Sequence, residues 1–141
     1  QVAVNIPSSI NPAHLRTLVT DMVDTASAHD AVGLAACQIA CPLRAIVISM
    51  GTMIPRQFVS LLNPEITWRS PLLMMEEESC LSLPGKTVKV ARPLAIKLKW
   101  RMFGTFEEKA AEIDGILARV IQHEIDHLDG ILISDKPVTL Q

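Results

Sequence analysis

His123-Glu124-Ile125-Asp126-His127 sets two imidazoles four residues apart, with a carboxylate beside the first. On a helix that spacing turns the rings only about 40° from one another, so both can reach one metal ion while Glu124 handles a proton. This H-E-x-x-H arrangement suits metal-assisted hydrolysis. Ile116, Val120, His123 and His127 fall on one helical stripe, so the histidines are expected to continue an apolar, inward face. Buried imidazoles need partners. A lone histidine there would read as a core residue bonded to backbone; two of them flanking a glutamate read as a metal site.

A catalytic site of this kind needs a third protein ligand and an open position for water. Downstream, the peptidase pattern H-E-x-x-H-x-x-G-x-x-H finds Gly130 in place but Ile133 where its third histidine belongs. Asp129 and Asp135 lie on an expected loop, and too little chain follows His127 for a glutamate on a later helix. The third ligand is therefore sought upstream. Cys37 and Cys41 flank the entrance to a predicted strand and lack the second pair that a separate metal would need. Cys80 stands in Glu78-Ser79-Cys80-Leu81-Ser82-Leu83-Pro84-Gly85, which reads as an irregular segment bounded by proline and glycine, and is the better candidate.

Elements must hold these groups in place. Asn11-Pro12 opens a helix whose Leu15, Leu18, Val19, Met22, Val23 and Ala26 recur at helical spacing and which ends before Gly33. Arg44–Met50 and Val59–Thr67, the latter interrupted by Asn63-Pro64, predict short strands. Leu94, Ile96, Leu98 and Trp100 alternate with Ala95, Lys97, Lys99 and Arg101, the period of a strand with one buried face. A turn at Phe103-Gly104-Thr105 leads to a partner strand over Phe106–Ala111, and Asp114–Leu128 predicts the helix that carries the histidines. With no regular strand–helix alternation, this predicts an α+β domain with mostly antiparallel pairing.

The chain's 141 residues, 49% of them hydrophobic, fit one domain with one core. A net charge of −2 and 4% aromatic residues argue against nucleic-acid binding. The six lysines and arginines from Lys86 to Arg101, and Glu76-Glu77, read as solvated strand faces. No apolar run is long enough to span a bilayer, and the first residues lack the features of a secretory signal. Gln1 in place of methionine suggests a trimmed chain, and three cysteines cannot all pair within it, which favours a reducing compartment.

Three segments together resemble the peptide deformylase family. Val32-Gly33-Leu34-Ala35-Ala36-Cys37-Gln38, Glu78–Ser82 and Gln122–His127 are similar, in the same order, to its motifs G-x-G-x-A-A-x-Q, E-G-C-L-S and Q-H-E-x-D-H. The resemblance implies an α+β fold with antiparallel sheets packed around a central H-E-x-x-H helix. It implies removal of the N-formyl group from the initiator methionine of nascent chains at the ribosome, with release of formate. Cys80, His123 and His127 would bind one divalent metal, Fe²⁺ natively, with Zn²⁺, Ni²⁺ or Co²⁺ possible. Glu124 would be the proton carrier, and Gln38 with the backbone N–H of Leu81 would bond the formyl oxygen. Glu78 would pair with Arg92 and orient the cysteine loop.

Val32, Gly33, Leu81, Ile116, Arg119 and Val120 are expected around the methionine pocket, with the Arg119 stem packing and its charge near the rim. Ala31 and Ser79 depart from the motif glycines, and each is strained if its backbone needs positive φ. Residues 1–141 are expected to form a single catalytic domain, short at its C-terminus. The protein is expected to be a monomer, cytoplasmic in a bacterium or phage-encoded, or organellar after loss of a targeting segment. A catalytically inactive relative that binds nascent N-termini and an H-E-x-x-H zinc peptidase are the alternatives.

Overall fold

The computed structural model describes residues 2–51, 56–80 and 84–135. The first helix, α1 (Pro12–Ala28), starts where its cap predicts. The Asn11 side-chain oxygen accepts from the Ala13 N–H at 2.9 Å, and proline in the first turn gives up an N–H that would have no helical partner. The helix stops at Ala28, short of Gly33. Asp30 adopts left-handed backbone, with φ 52, and the Ala31 N–H returns to the Ala26 carbonyl at 2.8 Å, which reverses the chain. Gly33 is instead the first residue of a strand.

Strands β1 (Gly33–Ala35), β2 (Ala45–Ser49), β3 (Phe58–Arg69), β6 (Ala95–Met102) and β7 (Glu108–Asp114) form a five-stranded antiparallel sheet in the order β1-β2-β3-β6-β7. The remaining strands, β4 (Leu73–Ser79) and β5 (Thr87–Pro93), form a separate antiparallel hairpin. The last long element is helix α2 (Gly115–Leu128).

Burial follows from the period-two alternation of the strands. On one face of the sheet Ile46, Ile48, Leu61, Ile96 and Leu98 meet Ala118, Ile121, Ile125 and Leu128 of α2. On the other face Ala45, Val47 and Leu62 meet Leu15, Met22 and Ala26 of α1. With a helix on each side, β2 is apolar throughout and reads as a continuous run rather than an alternating one. The molecule is α+β, with α2 lying between the sheet and the hairpin.

Three boundaries differ from expectation for local reasons. Asn63-Pro64 does not divide β3; the ladder steps from Leu62 opposite Arg101 to Glu65 opposite Lys99, a bulge that absorbs the proline. Asn63 sits there at φ 47, and its side chain clamps both the N–H and the carbonyl of Ile6, at 2.7 and 2.9 Å. The strand after the turn begins at Glu108 rather than Phe106, because Phe106 is itself in the turn at φ 59. Glu78 and Ser79, expected in an irregular segment, end a regular strand, with Ser79 opposite Thr87. Neither Ala31 nor Ser79 has positive φ, so the anticipated strain is absent at both.

Candidate metal centre

Helix α2 presents three faces. Ala118, Ile121, Ile125 and Leu128 pack on the sheet. Arg119, Gln122 and Asp126 face the hairpin, where they reach Glu78, the Pro93 carbonyl and Arg92. Ile116, Val120 and His123 line a cavity of about 890 Å³. The histidine stripe is inward at His123 and His127, which are buried, and at Val120, which packs on the core, but it opens onto the cavity at its start, where Ile116 is 78% exposed.

Cys80 follows the last residue of β4 and meets the two histidines there. Its Sγ lies 2.9 Å from His127 Nε2, which is 3.2 Å from His123 Nε2, and all three donor atoms fall within 4.8 Å of one another. Donors around a tetrahedral ion with bonds of ~2.0–2.3 Å stand about 3.3–3.6 Å apart. One thiolate and two imidazole nitrogens converging at this spacing fit a divalent transition metal, with modest opening of the Cys80–His127 pair. His123 Nδ1 lies 2.8 Å from Glu78 Oε1. That acceptor fixes the hydrogen on Nδ1 and leaves the Nε2 lone pair turned toward Cys80 and His127.

The electrostatics agree with cation binding. Burial pulls the His123 imidazole down, but hydrogen bonds to Cys80 and Glu78 and the charge of Glu124 outweigh it and hold the group at about 10. A metal ion that binds here displaces that proton and takes its place among the same negative neighbours. Glu124 is fully enclosed, and burial raises its carboxyl to about 7 against the pull of His123 and His127. Its Oε1 is buried with no hydrogen-bond partner. Such a carboxylate exchanges its proton near neutral pH.

Backbone geometry makes room for it. A Cβ built on Gly33 would fall 2.9 Å from Glu124 Oε2 and 3.0 Å from Val120 Cγ1, so β1 can approach α2 closely only with glycine there. Two residues beyond Gly33, the Ala35 N–H donates to Gln38 Oε1 at 2.8 Å, which turns the Gln38 amide nitrogen toward Cys80 Sγ, 3.5 Å away.

Glu78 organises the support. Arg92 donates to both its oxygens, Nε to Oε2 at 2.5 Å and Nη2 to Oε1 at 2.8 Å, and reaches Asp126 at 2.7 Å. Burial would raise the Glu78 carboxyl, but bonds from His123 and Arg92 bring it down to about 2. The Arg119 guanidinium is not at a pocket rim. It turns inward and is only 8% exposed, donating to Glu78 Oε2, to the Val90 carbonyl and to the Met74 carbonyl. The reason is acceptor supply: a carboxylate and two strand carbonyls inside outweigh hydration outside. Arg119 still borders the cavity, as do half-exposed Val32 and Gly33.

The polypeptide deformylase family profile matches residues 1–141. The chain belongs to the peptide deformylase family. It is 41% identical over 126 residues to a peptide deformylase of Chlorobium phaeobacteroides, covering 87% of this chain and 66% of that protein. It is also 41% identical over 122 residues to one of Natranaerobius thermophilus, covering 86% of this chain and 76% of the relative. Among solved structures, the peptide deformylase of Thermotoga maritima superposes with a TM-score of 0.90 at 34% identity, covering 99% of this chain and 90% of that one. The Acinetobacter baumannii enzyme described as bound to Met-Ala-Ser gives 0.88 at 30% identity, covering 96% and 89%.

Of the residues anticipated from sequence, the structure brings Cys80, His123, His127, Glu124 and Gln38 together and sets Glu78 and Arg92 behind them. Leu81 lies outside the described residues. The structure adds Gln122, whose amide donates to the Pro93 carbonyl at 3.0 Å, and Asp126 on Arg92. Their signal in the sequence is a second polar set at helical spacing, Arg119, Gln122 and Asp126, beside the His123, Glu124 and His127 set. Cys37 is separate from the cluster; its thiol donates to the His127 carbonyl at 3.3 Å, while Cys41 packs with the α1 core.

Proposed function

We propose that this chain is a metal-dependent hydrolase that removes the formyl group from the N-terminal methionine of newly made polypeptides and releases formate. The observation that carries this reading is geometric: one thiolate and two imidazole nitrogens converge within 4.8 Å of one another, with the buried Glu124 carboxylate beside them on the wall of an open cavity. A divalent ion held by Cys80, His123 and His127, ferrous iron natively and replaceable by zinc, nickel or cobalt, supplies Lewis acidity that brings the pKa of water into the neutral range.

The protein's own groups do the rest. Glu124 accepts a proton at its carboxylate as water attacks the formyl carbon, then returns a proton to the departing amine. Gln38 donates its amide N–H to the formyl oxygen as negative charge gathers there, and its carboxamide cannot titrate out of that role. The Leu81 N–H is assigned as a second donor on the family resemblance alone. Val32, Gly33, Ile116 and Val120 border the space that takes the methionine side chain, and the Arg119 stem closes part of its wall. The tripeptide Met-Ala-Ser named for the Acinetobacter structure supports a methionyl ligand. A cysteine as third donor, supplied from upstream, argues against the zinc-peptidase alternative.

Residues 1–141 act as a single catalytic domain, as a monomer, on nascent chains at the ribosome. Bacterial relatives support a cytoplasmic location; among the described residues no helix is long and apolar enough to cross a membrane. Formate release from an N-formyl-methionyl tripeptide, with protein prepared without oxygen and assayed beside Glu124→Ala, tests the reaction. Release by the unaltered protein alone is the expected result. No release from protein shown to carry metal would leave the inactive-relative reading in its place.

A further inference from the structure

We infer that Arg119 is a positioning residue for the metal centre: it locks the β4–β5 hairpin, and with it Cys80, against the helix that carries both histidines. The inference rests on the metal-centre reading above and concerns a residue that the resemblance placed only in the methionine pocket.

The ligands come from two separate pieces of structure. His123 and His127 are on α2, while Cys80 is held at the end of β4, in a two-stranded sheet that shares no ladder with the five-stranded one. The relative position of thiolate and imidazoles therefore depends on what joins hairpin to helix. Among the described residues four side chains of α2 make that seam: Asp126 through Arg92, Gln122 on the Pro93 carbonyl of β5, His123 on Glu78, and Arg119. Gln122 has a single partner on the hairpin, at the end of β5 remote from Cys80.

Arg119 does more. One guanidinium spans both strands: Nη1 donates to Glu78 Oε2 of β4, at 2.5 Å, and to the Val90 carbonyl of β5, at 3.1 Å, while Nη2 donates to the Met74 carbonyl of β4. Glu78 is two residues before Cys80, and its other oxygen accepts from His123 Nδ1 at 2.8 Å. One carboxylate thus fixes the orientation of a histidine ligand while its own position is set from two sides, by Arg92 of β5 and by Arg119 of the same helix. A planar fork can meet these acceptors on two strands together; an ammonium, a single point donor, cannot.

Cobalt-loaded protein provides the test, because a cysteine-to-cobalt charge-transfer band reports the thiolate bond without turnover. Arg119→Met keeps the stem and removes every donor. It is expected to speed cobalt loss to a chelator about ten- to a hundredfold, the range for losing a partner that orients a metal ligand, and to weaken or shift the thiolate band. Arg119→Lys is expected to lie between the two. Asn63→Ala, which removes the clamp on both backbone groups of Ile6 and bonds neither α2 nor the hairpin, is expected to lower stability and to release cobalt at the unaltered rate.

Release and spectrum unchanged in Arg119→Met would overturn the inference. So would equal acceleration by Asn63→Ala, which would mark the effect as general loosening. If Arg119→Met fails to fold, Arg119→Lys against Asn63→Ala decides the matter by the same two readouts. Failure of the unaltered protein to bind cobalt would instead defeat the metal-centre reading itself.

Discussion

Gly33 and Glu124 are in steric register: the place where a Cβ on the glycine would stand is 2.9 Å from the carboxylate oxygen Oε2. Gly33 does not have the positive φ that often explains a glycine, so its requirement is one of space. Gly33→Ala is therefore expected to fold and to displace Glu124 and Val120. A misplacement on the scale of 1 Å costs about a hundredfold in rate, and the loss should fall on kcat more than on KM. Steady-state kinetics with a formyl-methionyl peptide check this, and an unchanged kcat would refute it.

Cys80→Ser replaces a soft thiolate with a hydroxyl that coordinates poorly at neutral pH. Metal retention through gel filtration in the presence of a chelator should be lost, with the far-ultraviolet circular dichroism preserved. Full retention would remove Cys80 from the ligand set.

The Glu78 carboxyl gives a pH dependence of definite sign. Its value in the folded protein, about 2, lies below the ordinary carboxyl value of 4.5. The folded state thus binds this proton less readily than the unfolded one. The resulting stability is fully present above pH 4.5 and is lost as the pH falls toward 2. A shift of this size corresponds to about 3 kcal/mol. Glu78→Gln should therefore be less stable than the unaltered protein at neutral pH, and the gap should narrow through that acid window. Denaturant titrations of both proteins across it provide the measurement; a constant gap would contradict the assignment.

Val120 borders the cavity near Ile116 and packs on its other side against the core. Val120→Phe should narrow the space for an unbranched thioether side chain and reduce the preference for formyl-methionyl over formyl-alanyl peptides about tenfold or more, the scale of one or two methylene groups. An unchanged ratio of kcat/KM values would count against this wall of the pocket.

The helix α2, the strand β6 and the histidine pair are legible because each rests on a short-range signal: a 3.6-residue period, a two-residue period, and a four-residue ligand spacing. Cys80 follows only from elimination among upstream cysteines and from the family motif. The hairpin is not legible. Its β4 reads Leu-Met-Met-Glu-Glu-Glu-Ser, and all but Glu78 of it is exposed, so no alternation marks a buried face. The direction of the Arg119 head group was hidden for a different reason. It depends on acceptors at Met74, Glu78 and Val90, up to forty-five positions away, and no local pattern encodes such a partner. The end of α1 before Gly33 is legible, but the residue that turns the chain there is not, because Asp30 rather than a glycine takes the left-handed position.

A two-stranded hairpin has little stability of its own in water. Here β4–β5 leans on α2 mainly through charged and amide side chains, with Val90 fully buried on it, while the five-stranded sheet is locked to two helices by broad apolar burial. The hairpin is thus placed to open as a unit below the threshold for global unfolding. Its amide hydrogens should exchange with solvent through that smaller event and slow when the metal is loaded, while those of β2 and β3 exchange only with the whole molecule. Loss of the ion would then begin as a swing of one hairpin away from a helix that remains folded.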